Sequence, residues 1–195
     1  MKGKNKIFVV SKECTEPFRL LAEWTGDERD TIITENDSGE EINLLKTEGI
    51  AEQVVKCSVV IGGIKYPVSL PDIKNISLNI RPVPGNGLAV MAADKPVLHL
   101  ARHESDLRQF PGDVRSLVLM RPENFSQLEK FSELENLFIH EYDQPELKGM
   151  PAGLPVMHLK LNRCEPLKNV KHIRQWLQLK EKYIVTGKQI GRAHV

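Results

Sequence analysis

Long apolar runs are missing from this sequence, and so is any excess of charge. No stretch approaches the ~20 apolar residues of a membrane-spanning helix, and the run behind the basic start, Ile7-Phe8-Val9-Val10, is too short for a signal-peptide core. Lys and Arg number 27 against 26 Asp and Glu, for a net charge of +1 over 195 residues. That balance leaves no electrostatic footprint for nucleic acid. Cysteine is scarce: Cys14, Cys57 and Cys164 are scattered, odd in number and free of any C-x-x-C. The expectation is three reduced thiols in a cytoplasmic protein, not a disulfide framework. Catalytic motifs are absent as well. His103-Glu104 and His140-Glu141 lack the second histidine of H-E-x-x-H, Gly187-Lys188 lacks the earlier glycine of a phosphate loop, and no serine sits in G-x-S-x-G. No enzyme, cofactor or metal is expected on these grounds, although catalytic residues can converge from anywhere in a chain.

What is present is a repeat. Val114-Arg-Ser-Leu117-Val-Leu119 is echoed by Leu134-Glu-Asn-Leu137-Phe-Ile139, by Leu154-Pro-Val-Met157-His-Leu159 and by Arg174-Gln-Trp-Leu177-Gln-Leu179, each twenty residues after the last. Ile73-Lys-Asn-Ile76-Ser-Leu78 and Lys95-Pro-Val-Leu98-His-Leu100 extend the pattern backwards. The central positions are Ile76, Leu98, Leu117, Leu137, Met157 and Leu177, and they are expected to stack as one buried column. Between copies, Phe125, Leu128 and Phe131 mark a helix over residues 122–131, and Leu167, Val170 and Ile173 mark a helical or 3₁₀ segment.

Residues 1–70 do not share the repeat and are read as a small α+β or mostly-β cap. Lys6 to Ser11 is expected as a strand. Pro17 opens a helix with Phe18, Leu20, Leu21 and Trp24 on its apolar face, ending at Gly26. Asp27 to Glu41 reads as a polar loop around the turn residues Asn36-Asp-Ser-Gly39. Glu52 to Leu70 reads as a hairpin turning at Gly62-Gly63.

Residues 73–185 resemble the leucine-rich repeat family. The copy that carries the resemblance best is Leu154-x-x-Met157-x-Leu159-x-x-Asn162-x-Cys164, with Asn and an apolar residue where that family places them. Its ladder asparagine is replaced elsewhere by Pro122, Tyr142 and Lys182. The resemblance implies a mixed α/β solenoid over residues 71–188, its parallel strands lining a concave face and its repeats stacked into one core.

In that register, strand parity sends Leu137 and Ile139 inward and Phe138 outward. Val118, Met120, Phe138, His140, Val156, His158 and Trp176 then share the concave face as an apolar and aromatic patch. Such a patch marks an interaction site. The expected function is recognition of a protein partner, with no nucleic acid and no membrane. The alternative is the targeting arm of a larger enzyme or effector. His99, His140 and His158 fall in the same columns without a carboxylate or thiol cluster, so they read as scattered histidines and not as metal ligands. Residues 189–195 stand apart: Ile190-Gly-Arg-Ala-His-Val195 resembles a translated sequencing adapter, so the natural chain is expected to continue past Lys188.

Overall fold

The computed structural model describes residues 6–10, 12–47, 49–71, 75–167 and 184–186. The chain divides into two compact units. One comprises Met1–Arg81 and Leu88–Val97, the other Pro82–Gly87 and Leu98–Val195.

The first unit is built on a six-stranded sheet. Its elements are β1 (Lys6–Val10), α1 (Lys12–Thr25), β2 (Thr31–Asn36), β3 (Glu41–Asn43), β4 (Gly49–Ile61), β5 (Ile64–Val68) and β6 (Asn75–Ile76). The order is β3-β2-β4-β1-β6, with β5 also on β4. The long β4 pairs antiparallel with β1 along its first part and with β2 and β5 along its second, and β6 adds parallel to β1. The hairpin at Gly62-Gly63 forms as expected, with Ile61 opposite Ile64 and φ of 56° and 78° at the two glycines. Only residues tolerant of positive φ fit such a turn. Asp30 secures it by accepting a 2.8 Å hydrogen bond from the Gly62 N–H. Helix α1 ends at Gly26, whose φ of 79° and N–H bond to the Ala22 carbonyl make a left-handed C-terminal stop.

Two expectations for this region are corrected. The helix starts at Lys12, before Pro17. Residues 27–41 are not a loop, because Thr31–Asn36 is a strand antiparallel to both β3 and β4. The expected turn is there: Asn36 Oδ1 accepts from the N–H groups of Ser38 and Glu40. The β-branched flank of that turn, Thr31-Ile-Ile-Thr34, is the strand signal within the polar stretch.

Strands β7 (Leu78–Val83), β8 (Gly87–Ala92) and β9 (Lys95–Ala101) are each shared between the units. The second unit continues with a 3₁₀ turn (Glu104–Gln109), β10 (Ser116–Met120), a second 3₁₀ turn (Ser126–Lys130), β11 (Asn136–His140), β12 (His158–Asn162) and β13 (Ile184–Thr186). Strands β9 to β13 pair in sequence order, all parallel. Leu117, Leu119, Leu137, Ile139, Leu159 and Leu161 face one core, closed by Phe110, Phe125, Leu128, Phe131 and Tyr142. The segment expected as a helix over residues 122–131 is a single 3₁₀ turn. Phe125, Leu128 and Phe131 are all buried, and the N–H groups of Leu128 and Phe131 bond to the carbonyls three residues back, which is why the apolar spacing is three.

The expected solenoid is corrected by this architecture. Among the described residues the protein is mixed α/β with two sheets and few helices, and the first unit is built on a six-stranded sheet of its own. The register also lacks a fixed repeat. Leu117 stands opposite His99 and Leu137, Leu137 opposite Leu159, and Lys160 opposite Ile184. The offset between neighbouring strands is 20 residues at Ser116–Asn136 but 22 at His140–Asn162. Met157 therefore misses the expected column, precedes β12 and is only half-buried; Leu159 takes the place beside Leu137. Leu98 misses it too, because His99 occupies the position beside Leu117 and packs its ring 5.8 Å from that of Phe110. The fourth copy, Arg174 to Leu179, and the tail from 189 lie outside the described residues, as do Val170 and Ile173.

Candidate functional site

The apolar patch expected on an open face is not open. Val118, Met120, Phe138, His140 and Val156 are all buried. Parity does place Val118 and Phe138 on the face opposite Leu117 and Leu137, but that face is covered as well. Leu117-Val-Leu-Met120 and Leu137-Phe-Ile-His140 are nearly unbroken apolar runs, the pattern of a parallel sheet buried on both sides. Val156 lies in the same core as Leu137. His158 is exposed but sits beside Asn136, away from Phe138. Trp176 lies outside the described residues.

The register brings together a different constellation, where the parallel strands end. Met120, His140 and Asn162 close β10, β11 and β12, and each is followed by a charged residue in left-handed conformation: Arg121 at φ 47°, Glu141 at 56° and Arg163 at 51°. The Arg121 N–H donates to the His140 carbonyl at 2.8 Å and the Glu141 N–H to the Asn162 carbonyl at 2.9 Å, so the ladder continues past the strands. Side chains complete it. Arg121 Nε donates to Glu141 Oε2 at 2.6 Å, and Arg163 Nη1 to Glu141 Oε1 at 3.0 Å. Burial opposes ionisation of Glu141. The hydrogen bonds from the two arginines, with the nearby charge of Arg121, outweigh it and hold the carboxyl below its usual range.

His140 is enclosed beneath this ladder. Its Nδ1 lies 2.7 Å from Asn162 Nδ2 and its Nε2 3.4 Å from Glu141 Oε1. Donation by the Asn162 amide makes Nδ1 the acceptor and puts the proton of the neutral ring on Nε2, facing Glu141. Asn162 Oδ1 is left buried with no hydrogen-bond partner among the described residues. The thiols of the two described cysteine side chains are unsuited to nucleophilic work: burial pushes Cys57 up to about 12 and Cys164 up to about 11.

A second group lies at the ends of β9 and β10. His103 caps the first 3₁₀ turn, its Nδ1 3.0 Å from Ser105 Oγ. Its Nε2 is 3.4 Å from Glu104 Oε2 and 3.9 Å from Glu123 Oε1. Glu104 is buried and accepts from the Glu123 N–H at 2.9 Å and from Asn124 Nδ2 at 3.4 Å.

Apart from Met120 and His140, none of these residues is a site residue on the sequence reading, yet the sequence carries a signal. Leu-Val-Leu-Met-Arg121, Leu-Phe-Ile-His-Glu141 and Leu-Lys-Leu-Asn-Arg163 each place a charged residue just after a strand with apolar residues at alternate positions. Alternating basic, acidic and basic at the same register position is what a cross-strand ion-pair ladder requires. No protein-family model, no curated protein and no solved structure matches this chain.

Proposed function

We propose that this chain is a protein-recognition module whose contact surface is the charged edge at the C-terminal ends of β10, β11 and β12. The observation that supports this most is the ladder Arg121–Glu141–Arg163. Three non-glycine residues hold left-handed backbone at equivalent positions, a conformation that costs of order 1–3 kcal/mol each and is concentrated at binding and catalytic sites. The ladder leaves the Arg121 side chain largely exposed and that of Arg163 half-exposed, beside a carboxylate whose ionised form is favoured.

Arginine on a fixed backbone recognises planar carboxylates through its fork of N–H donors. The partner this edge fits is an acidic protein segment. The ends of parallel strands are also where ligands of α/β sheets commonly sit. The buried thiols with raised pKa and the unpaired state of Cys57 and Cys164 fit a binding role in a reducing, cytoplasmic setting. No described helix is long and apolar enough to cross a membrane.

The test is affinity capture from the source lysate with the parent chain and with the Arg121→Glu, Arg163→Glu double variant, each first checked by thermal melting. Partners held by the parent should be lost by the folded variant. An identical captured set from both would overturn the reading.

A further inference from the structure

His103, Glu104 and Glu123 have no part in the recognition ladder. His103 and Glu104 follow β9, Glu123 follows β10, and one potential ligand atom from each lies within 4.8 Å of the other two. We propose that these side chains form a zinc site, with His103 Nε2, an oxygen of Glu104 and an oxygen of Glu123 as ligands and water in the fourth position.

The spacing fits the ion. With zinc bonds of ~2.0–2.2 Å to imidazole nitrogen and carboxylate oxygen, neighbouring ligands of a tetrahedral site stand about 3.3 Å apart. His103 Nε2 and Glu104 Oε2 already stand at 3.4 Å. Glu123 Oε1 is at 3.9 Å from the same nitrogen on a side chain that is 81% exposed, so a small rotation brings it to bonding position. The supporting shell is present too. Metal on Nε2 puts the ring proton on Nδ1, so the bond that Nδ1 accepts from the Ser105 N–H at 3.3 Å in the capped turn gives way to donation to Ser105 Oγ, 3.0 Å away. Glu104 is held in place by the Glu123 N–H and the Asn124 amide.

The charge also asks for a cation. The Glu104 side chain is only 8% exposed, and its sole ion-pair partner among the described residues is His103. A buried carboxylate is stabilised by hydrogen bonds and by a cation beside it, and a divalent ion held with Glu123 would supply that cation. One imidazole with two carboxylates favours a first-row divalent ion over magnesium or calcium, which take oxygen ligands. The sequence shows only the His-Glu half of a metal motif. The missing ligand arrives from the next strand end, where no fixed spacing along one helix would reveal it.

The experiment is titration of zinc into the metal-free full chain at pH 7.5 by calorimetry, followed by cobalt substitution and its visible spectrum. The expected result is one ion per chain with a dissociation constant in the micromolar range or below. His103→Asn, which keeps a side chain able to cap the 3₁₀ turn, and Glu123→Gln should each weaken binding at least tenfold and remove the tetrahedral cobalt bands. Metal-free melting should stay unchanged in both. If His103→Asn lowers that melting temperature, the exposed Glu123→Gln decides alone. Absence of saturable zinc binding by the parent, or affinity unchanged in Glu123→Gln, would overturn the site and leave a plain imidazole–carboxylate contact. Neither result touches the recognition reading, whose test alters Arg121 and Arg163.

Discussion

Lys160, not His158, stands directly opposite Phe138 in the ladder between β11 and β12. A two-residue step in register replaces the exposed imidazole with a half-buried ammonium, and burial lowers the pKa of Lys160. Phe138 itself is buried, so its face is covered.

Phe138 and Leu137 should therefore behave alike on truncation. Leu137→Ala, at a fully buried position, is expected to lose about 2–5 kcal/mol, and Phe138→Ala about 3–5 kcal/mol. Chemical denaturation with unchanged slopes is the measurement. A Phe138 variant as stable as the parent would mean that its ring is not packed in solution.

His99 should make the protein sensitive to mild acid. Burial lowers its pKa, opposed by the weaker pull of Asp113. The unfolded chain thus takes up this proton first, and stability falls as pH drops below about 6.5, the ordinary histidine value, towards the depressed folded value. His99→Phe should flatten that limb of a melting-temperature profile. An unaltered profile would place the His99 ring in water.

Glu141 should govern a second limb at lower pH. Its folded pKa is depressed, so its contribution is fully present above the unfolded value of about 4.3 and is lost as pH falls through the folded one. Glu141→Gln should lower stability at pH 7 and remove this limb. Arg121→Ala should do part of the same, because it removes one of the two hydrogen bonds that hold the carboxylate.

Cys57 and Cys164 should resist alkylation in the native state. Their thiols are buried and titrate near 12 and 11, so at pH 8 almost no thiolate is present. Peptide mapping after iodoacetamide treatment should find both unmodified until denaturant is added. Rapid native labelling of Cys164 would show that the β12 end opens readily.

Strand and turn are legible where the physics is local. Gly62-Gly63 sets a hairpin through φ, Asn36 builds its turn from its own carboxamide, and the three-residue spacing of Phe125, Leu128 and Phe131 marks a tight helical turn, shorter than the spacing alone implies. Parallel strands over residues 116–162 can be placed from alternation, because inward leucines recur wherever a strand lies on a core. What alternation cannot give is the state of the other face. Val118, Met120 and Phe138 read as a binding patch if that face is open and as core if it is covered, and the residues are the same in both cases.

The sequence by itself determined that strands with alternate apolar residues recur and that a charged residue follows each of β10, β11 and β12. Only the tertiary structure decided which residues meet. Register is fixed by how much chain each connection takes up between strands. The step from 20 to 22 residues moved Met157 out of the column, set Lys160 beside Phe138, and aligned Arg163 with Glu141 and Arg121. The grouping of His103 and Glu104 with Glu123 arose in the same way, from strands whose ends adjoin in space but not along the chain.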